Sequence, residues 1–154
     1  MAAIVYATKE GNKTKPAVQP HGSEAVTVRF EFDLSAILLI TDVVKLGWLP
    51  ANCRVVDWEL DCDDLSTTAA GSFDLGILTD VAVPAIDTTA SGGAAWVATS
   101  TLPQAGGLLR SVIVTHKRMV VSRTADQLIG LVMIASCTVT ATGKVGLTLT
   151  YIAA

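Results

Sequence analysis

Residues 54–62, RVVDWELDC, carry the clearest strand pattern in this 154-residue chain. Val56, Trp58, Leu60 and Cys62 alternate with acidic residues along the stretch. Because successive side chains of a β-strand point to opposite faces, the alternation predicts a strand with one buried and one wetted face. We therefore expect Trp58 to lie in the core of the protein.

The same two-residue period recurs in residues 26–33, 72–77 and 144–151. It predicts three more strands and a core that they share. The residues expected to be largely buried are Phe30, Phe32, Trp58, Phe73, Leu147 and Leu149.

The remaining segments have weaker patterns. Residues 34–46 fit a helix, but an apolar run without a polar face favours two short strands, Ala36–Ile40 and Val43–Gly47, with a turn at Thr41-Asp42. Trp96 and Val97 predict a short strand inside a loop-rich stretch, and a further strand is expected over Ser111–Val121.

The count is eight or nine short strands, with no long amphipathic helix and no internal repeat. So many half-apolar strands bury their apolar faces when two sheets pack together. The sequence therefore predicts an all-β fold, a β-sandwich resembling a jelly roll. We expect a single sandwich domain over residues 23–154, preceded by an arm or loop over residues 1–22.

The segment from Thr8 to Gly22, TKEGNKTKPAVQPHG, differs from the rest of the chain because it has almost no large apolar residue. It carries three lysines, Lys9, Lys13 and Lys15. Such a segment cannot form a core element. One hypothesis is that Met1–Pro20 reaches across to an adjacent subunit; the alternative is that Ala3–Ala7 forms a first strand in the protein's own sheet.

Composition excludes several classes of protein. Apolar residues make up 51% of the chain and the mean hydropathy is +0.52, yet the longest uninterrupted apolar or glycine run, Leu128 to Ala135, is far too short to span a bilayer. We expect neither a membrane protein nor a secretory signal peptide. A net charge of −3 argues against binding of nucleic acid through phosphate contacts.

No catalytic motif is present. The two histidines, His21 and His116, have no nucleophile motif near them, and no phosphate-binding loop occurs. Cys53, Cys62 and Cys137 lack the spacing of a zinc site and are expected to be free thiols. The sequence predicts a protein that is not an enzyme and has no cofactor.

The acidic residues 57–64 raise the question of a cation site. A straight strand spreads its carboxylates apart, so only Asp61, Asp63 and Asp64 at its end could converge on a metal ion. The alternatives are a solvated acidic face that discourages edge-to-edge aggregation, or a face complementary to a basic partner.

The segment Leu128–Ser136 is apolar on both faces, so we expect it at the centre of a sheet or at a subunit contact. It contributes Leu128, Val132 and Ile134 to the predicted partner interface, and the arm contributes its three lysines. Low charge and exposed small apolar residues indicate a protein covered by copies of itself or by a partner. We expect a homo-oligomer, either a homodimer or a homotrimer.

Three stretches resemble small structural proteins of tailed bacteriophages, a group that includes capsid decoration, or cement, proteins. They are DVVKLGWLPANCRVVD (residues 42–57), residues 63–65 with 74–78, and GKVGLTLTY (residues 143–151). The resemblance covers, in patches, residues 26–151.

The resemblance implies a sandwich subunit, made in the cytoplasm of the host bacterium, that binds the outside of an icosahedral capsid. There it would bridge subunits of the major capsid protein, with no cofactor and no catalytic residue. The alternatives are another virion subunit, such as a head–tail connector or tail accessory protein, and a β-sandwich carbohydrate-binding module. The last would use Trp48, Trp58 or Trp96 as a stacking platform, although only Trp96 is expected to be exposed.

Overall fold

The computed structural model describes residues 3–9, 11, 24–66, 70–91, 95–111, 124–137 and 142–153. Within these ranges the chain forms nine β-strands and one short 3₁₀ turn at Leu102–Gln104. The strands are β1 (Val5–Ala7), β2 (Ala25–Asp33), β3 (Val43–Leu49), β4 (Cys53–Cys62), β5 (Ser72–Leu78), β6 (Val97–Ser100), β7 (Gly107–Arg110), β8 (Gln127–Ala135) and β9 (Lys144–Ala153). The predicted strand over Ser111–Val121 lies, apart from Ser111, outside the described residues.

The strands form two sheets, ordered β1-β3-β8-β5-β6 and β2-β9-β4-β7. All pairings are antiparallel except that of β1 with β3. From β2 to β9 successive strands change sheet, except that β5 and β6 pair within one sheet, and the resulting strand order is that of a jelly roll. The predicted β-sandwich is therefore confirmed, and β1 extends one of its sheets.

The core lies between the two sheets and includes all six residues expected there: Phe30, Phe32, Trp58, Phe73, Leu147 and Leu149. Trp58 from β4 stacks on Trp96, with ring centroids 6.3 Å apart and ring planes inclined by 18°. The expectation that Trp96 is exposed is wrong, because its ring fills the space between the sheets and is 0% exposed. The short strand predicted beside it is confirmed as β6.

A register shift between Val55 and Asp57 changes the pattern of β4. Trp58, Leu60 and Cys62 are buried as predicted, but the next inward side chain is Val55 rather than Val56, which is half-buried. A β-bulge inserts one residue and so reverses the alternation on one side of it. The predicted orientation of Val56 is wrong for this reason.

The connection from β2 to β3 is not the strand predicted over Ala36–Ile40. Within Ala36–Ile40 only Leu38 is buried, while Ile37 and Ile40 are exposed. The carboxylate of buried Asp42 organises this connection, since its two oxygens accept hydrogen bonds from the backbone N–H groups of Ile4 and Leu39, each at 2.9 Å. The turn before β3 is formed by Ile40 and Thr41, one residue earlier than predicted, and the strand predicted over Val43–Gly47 is confirmed as β3.

The N-terminus belongs to the protein's own domain. Val5, Tyr6 and Ala7 pair in parallel with Val43, Val44 and Lys45. Thr8 continues the pairing, its N–H donating to the carbonyl of Lys45 at 3.0 Å. The hypothesis that Met1–Pro20 leaves the domain is therefore wrong for residues 3–9 and 11, and the rest of the predicted arm up to Pro20 lies outside the described residues.

Strand β8 is the middle strand of its sheet, between β3 and β5, so the central position predicted for Leu128–Ser136 is confirmed. Most of its residues are buried on both faces. Ile134, near its end, is exposed.

The three cysteines are free and buried. Burial raises the pKa of all three thiols, that of Cys62 to about 12, because a thiolate is poorly solvated in an apolar surrounding.

We expect a thiol reagent such as Ellman's reagent at pH 8 to label none of the three cysteines within minutes in the native protein, and all three in guanidinium chloride. Rapid labelling of the native protein would contradict the buried positions.

Candidate assembly surface

The outer face of the four-stranded sheet is charged, and its charges are paired with one another. Arg29 on β2 reaches over β9 to Asp61 on β4, with its two terminal nitrogens 2.6 and 2.8 Å from the carboxylate oxygens. The path between them crosses Gly146, where a side chain would collide with the guanidinium. Lys144 binds Glu31 at 2.6 Å and Asp33 at 3.2 Å.

These pairs shift the ionisation of their members. The hydrogen bond from Lys144 lowers the pKa of Glu31, and the same hydrogen bond raises the pKa of Lys144. The hydrogen bond to Asp61 raises the pKa of Arg29, so this guanidinium is charged at every accessible pH. The ion pairs on this face are exposed to solvent and neutralise one another's charges. Each of them contributes little to the stability of the fold.

The five acidic residues of the 57–64 segment all have partners within the protein. Asp57 accepts a short hydrogen bond from the Ser111 hydroxyl, and Glu59 pairs with Arg110 at 2.7 Å. The alternative that these acids protect a sheet edge is wrong, because β4 lies between β9 and β7.

The metal candidates Asp61, Asp63 and Asp64 do not form a site. Asp61 is held by Arg29, Asp63 accepts the backbone N–H of Lys144 at 2.8 Å, and Asp64 accepts that of Ser66 at 3.1 Å. Their oxygens bind different donors instead of converging. In the described part of the chain no group of three or more His, Cys, Asp or Glu side chains is arranged to hold a metal ion.

The outer face of the five-stranded sheet has a different chemistry. Val43, Leu78 and Leu128 form a second, smaller apolar cluster there, separate from the main core. Half-buried residues pack around it: Val5, Trp48, Ile86 and Val132. In the middle of the face Gly76 and Gly130 are paired opposite each other on β5 and β8, and Ser91 and Ile86 of the following loop pack against Gly76.

One end of this sheet exposes large apolar side chains. Ile40 is 56% exposed, Ile4 48% and Ile134 39%. Backbone hydrogen bonds join their segments, from Thr41 N–H to the Met133 carbonyl at 2.9 Å and from Val43 N–H to the Ile4 carbonyl at 2.9 Å. An exposed apolar group of this kind is typical of an interaction surface.

We name Ile4, Ile40 and Ile134 the isoleucine end. Of these three residues, only Ile134 was predicted from the sequence to lie at an interface. Ile4 and Ile40 were missed because their proximity depends on the parallel β1–β3 pairing and on the turn before β3. The available signal for Ile40 was a bulky isoleucine directly before the predicted turn at Thr41-Asp42.

The other residues of the predicted partner interface are dispersed. Leu128 is 2% exposed within the apolar cluster of the outer face, and Val132 is half-buried on that face. Lys9 lies elsewhere, in a cleft between β1 and β2 that Glu31 and Asp33 also line. Lys13, Lys15, His21 and His116 lie outside the described residues.

The three tryptophans form no aromatic platform. Trp58 and Trp96 are stacked in the core. Trp48 is half-buried, and its indole Nε1 donates to the carbonyl of Gly11 at 3.3 Å. The described strands therefore lack the exposed aromatic surface that the carbohydrate-binding hypothesis required.

No helix among the described residues is long and apolar enough to cross a membrane.

The fold is similar to that of solved capsid chains from bacteriophages. A chain in the capsid of Ralstonia phage GP4 superposes with a TM-score of 0.79 and 22% identity, over 97% of this chain and 98% of that one. A chain in the capsid asymmetric unit of cyanophage Pam1 gives a TM-score of 0.59 and 17% identity, over 89% and 91% of the two chains. No family model and no curated protein matches the sequence. At these identities, the similarity shows a shared jelly-roll fold.

Proposed function

We propose that this protein is a structural component of a tailed bacteriophage, which binds the outside of the icosahedral capsid and bridges subunits of the major capsid protein. The observation that carries the proposal is the end-to-end match to a chain in the capsid of Ralstonia phage GP4. The stretches that resemble small structural proteins of tailed bacteriophages, a group that includes decoration proteins, support it independently of the structure. The proposal assigns no catalytic residue and no cofactor.

The two sheets suggest how the protein is oriented on the shell. The charged face of the four-stranded sheet satisfies its own charges and is suited to solvent. The isoleucine end gains most from being covered, since its side chains are exposed and apolar burial contributes about 25 cal/mol per Å². We propose that this side, including Val132 and Ile134, meets the capsid or a neighbouring copy.

Bridging explains how such contacts would stabilise a particle. A protein that contacts several subunits at once binds the assembled shell more tightly than any free subunit. Binding to the assembled state alone shifts the equilibrium towards that state. We propose that copies also associate with each other as a homodimer or homotrimer, which sedimentation at micromolar concentration tests.

The isoleucine end provides a direct test of capsid binding. We expect the double variant Ile40→Asp/Ile134→Asp to bind purified shells of the parent phage at least about tenfold more weakly, because two carboxylates would be desolvated at the contact. Co-sedimentation with the shells measures this, and the melting temperature of the decorated particle measures protection.

Leu108→Asp is the matched control, since Leu108 is equally exposed but lies on β7 of the other sheet. It should bind and protect as the parent protein does. Equal loss in both variants, or in neither, would contradict the proposed orientation. A different result would support the alternative role as a head–tail connector or tail accessory protein. In that case the parent protein would not bind the shell and would be found at the tail or connector of the virion.

The lysines of the predicted arm remain part of the proposal. Because β1 belongs to the domain, a deletion should spare residues 1–11 and remove only residues 12–20, which include Lys13 and Lys15. We expect this deletion to weaken shell binding if the arm contacts a neighbour. Unchanged binding and unchanged particle heat stability would exclude that role.

A further inference from the structure

The strand at one edge of the four-stranded sheet, β2, has a side that no described strand occupies. On its other side it pairs with β9 in one continuous register without a bulge, from Ala25 to Asp33. A long, regular edge strand keeps a row of backbone N–H and C=O groups available for pairing. Such an edge can therefore accept a strand from another chain.

The pairing with β9 determines which backbone groups of β2 point to the free side. The N–H of Leu34 donates to the carbonyl of Gly143 at 2.8 Å, in the same register as the β2–β9 ladder. Because hydrogen-bonded pairs alternate along an antiparallel ladder, the even-numbered residues of β2 bond to β9. The odd-numbered residues direct their N–H and C=O groups to the free side, and within the described ranges no backbone hydrogen bond reaches them: Ala25, Thr27, Arg29, Glu31 and Asp33.

The inner face of β2 is incompletely covered at this edge. Its odd-numbered side chains are exposed on the outer face of the sheet, while Phe30 and Phe32 are buried between the sheets. Val26 and Val28 point to the same side as these rings and pack against the core, yet they are only half-buried. A further strand beside β2 would cover the two valines, which is favourable because they are apolar.

The charges along this edge are complementary to themselves. If two copies of β2 run antiparallel with Phe30 opposite Phe30, Arg29 of each copy lies opposite Glu31 of the other. Thr27 then lies opposite Asp33. These pairs consist of odd-numbered residues, so the outward backbone groups of the two strands meet and form hydrogen bonds. Opposite charges placed directly across two strands stabilise the pairing.

Neighbouring registers are less favourable. A shift by one residue brings odd-numbered residues opposite even-numbered ones, whose backbone groups already bond to β9. A shift that centres the pairing on Arg29 places two arginines opposite each other, and one that centres it on Glu31 places two glutamates opposite each other. Like charges directly across two strands are destabilising. The register centred on Phe30 also places Val28 opposite Phe32 on the inner face.

We propose that two copies of this protein pair through β2 in this register, with a twofold axis at Phe30, so that their four-stranded sheets join into one continuous sheet. The contact is isologous and closed, so it gives a dimer rather than a trimer. The inference rests on the self-association proposed above and specifies its contact, but it requires no capsid. Arg29 need not release Asp61, because its two terminal nitrogens bind that carboxylate while Nε has only a longer contact, 3.4 Å, to Glu31.

Other occupants of this edge fit less well. The chain segment that precedes β2 contains Pro16 and Pro20, and a proline has no N–H to donate to a ladder. A strand from another protein would have to match the order of charges on β2, which a second copy of β2 matches in the register described. A second copy also supplies the apolar residues that lie opposite Val28 and Phe30.

Charge reversal tests the cross-strand pairs. We expect the full chain to sediment as a dimer at micromolar concentration. Arg29→Glu and Glu31→Arg should each weaken self-association roughly tenfold, because each places like charges in both pairs. An equimolar mixture of the two variants restores opposite charges at both positions and should dimerise as the parent protein does. Unchanged association of the single variants, or no recovery in the mixture, would overturn the proposal.

Cysteine cross-linking determines the register. In the proposed dimer, residue 29 of one copy lies directly opposite residue 31 of the other, with the Cα atoms about 5.5 Å apart, a distance that suits a disulfide. The two residues 29 lie diagonally, about 7–8 Å apart, which does not. Mild oxidation should therefore cross-link a mixture of Arg29→Cys and Glu31→Cys faster than either variant alone, while the buried native cysteines stay reduced. Faster cross-linking of one variant with itself would contradict this register.

Thr27→Pro tests the backbone pairing. The N–H of Thr27 points to the free side, so proline should leave the β2–β9 ladder intact while blocking the second copy. We expect a folded monomer. Thr27→Ala is the matched control, because it also loses the hydroxyl contact with Thr150 at 2.9 Å but keeps the N–H, and it should dimerise normally. Circular dichroism verifies folding, and the charge-reversal and cross-linking results decide if the proline variant does not fold.

The remaining outcomes separate this inference from the proposed function. A folded Thr27→Pro protein that still dimerises would show that the copies associate through another surface. A parent protein that is monomeric or trimeric would equally overturn the β2 contact. A monomeric parent that binds shells, and loses this binding in Thr27→Pro, would identify a capsid strand as the occupant of the edge and contradict the proposal. Co-sedimentation with shells measures capsid binding separately in every variant.

Discussion

Replacing Trp58 with alanine is expected to lower the free energy of unfolding by about 3–5 kcal/mol, the typical cost of removing a buried aromatic side chain. Trp58 is 1% exposed, and its ring stacks on Trp96 between the sheets. Removing it deprives both sheets of contacts at the same point. The remaining cavity cannot collapse easily, because antiparallel pairing holds β4 between β9 and β7.

Chemical denaturation followed by circular dichroism measures this effect. The midpoint should fall while the slope with denaturant stays the same, and the melting temperature should fall by roughly 10 °C for a domain of this size. Trp48→Ala is the control, because Trp48 is half-buried on the outer face and should cost only about 1–2 kcal/mol. A cost for Trp58→Ala no larger than that of the control would show that the stacked pair is not central to the core.

The features predicted best were those encoded locally. Strands β2 and β9 were recognisable from alternation alone, and they pair in one continuous register from Ala25–Ile152 to Asp33–Lys144. Every inward residue in this pair meets another inward residue, so local pattern and final packing agree. The two-sheet arrangement followed from the number of such strands.

The errors occur where distant segments determine the outcome. The bulge in β4 reverses the positions of Val55 and Val56, yet nothing in RVVD distinguishes two adjacent valines. The burial of Trp96 depends on Trp58, far away in sequence. The pairing of β1 with β3 depends in part on the Asp42 carboxylate, which binds the N–H of Ile4.

The candidate surface was predictable to a similar extent. The position of β8 followed from its apolar faces, whereas the isoleucine end required the tertiary structure. The acidic segment, residues 57–64, was recognisable in the sequence as a row of charges. The residues that pair with these charges lie on β2, β7 and β9 and in loops. An acidic sequence could not reveal that Arg29 crosses a whole strand to reach Asp61.

Gly130→Ala is expected to be the most disruptive small substitution in the sheets. Gly130 on β8 lies between Lys45 and Gly76 of the neighbouring strands. A Cβ atom there would collide with the backbone carbonyl oxygen of Val44 and come within 2.6 Å of Leu78 Cδ1. Because backbone cannot move aside as a side-chain tip can, we expect a loss of about 3 kcal/mol, at the upper end of the range for overpacking.

Gly146→Ala on β9 is its matched counterpart, because it also lies inside a central strand. The atoms nearest to its added methyl group belong to the ends of the Arg29 and Asp61 side chains. These can swing into solvent at the cost of one exposed ion pair, so the loss should stay below about 1 kcal/mol. Thermal unfolding of both variants at low and high salt makes the comparison. Similar losses in the two would mean that β8 can yield as easily as a surface side chain, and that the packing around Gly130 does not depend on close approach of the backbone.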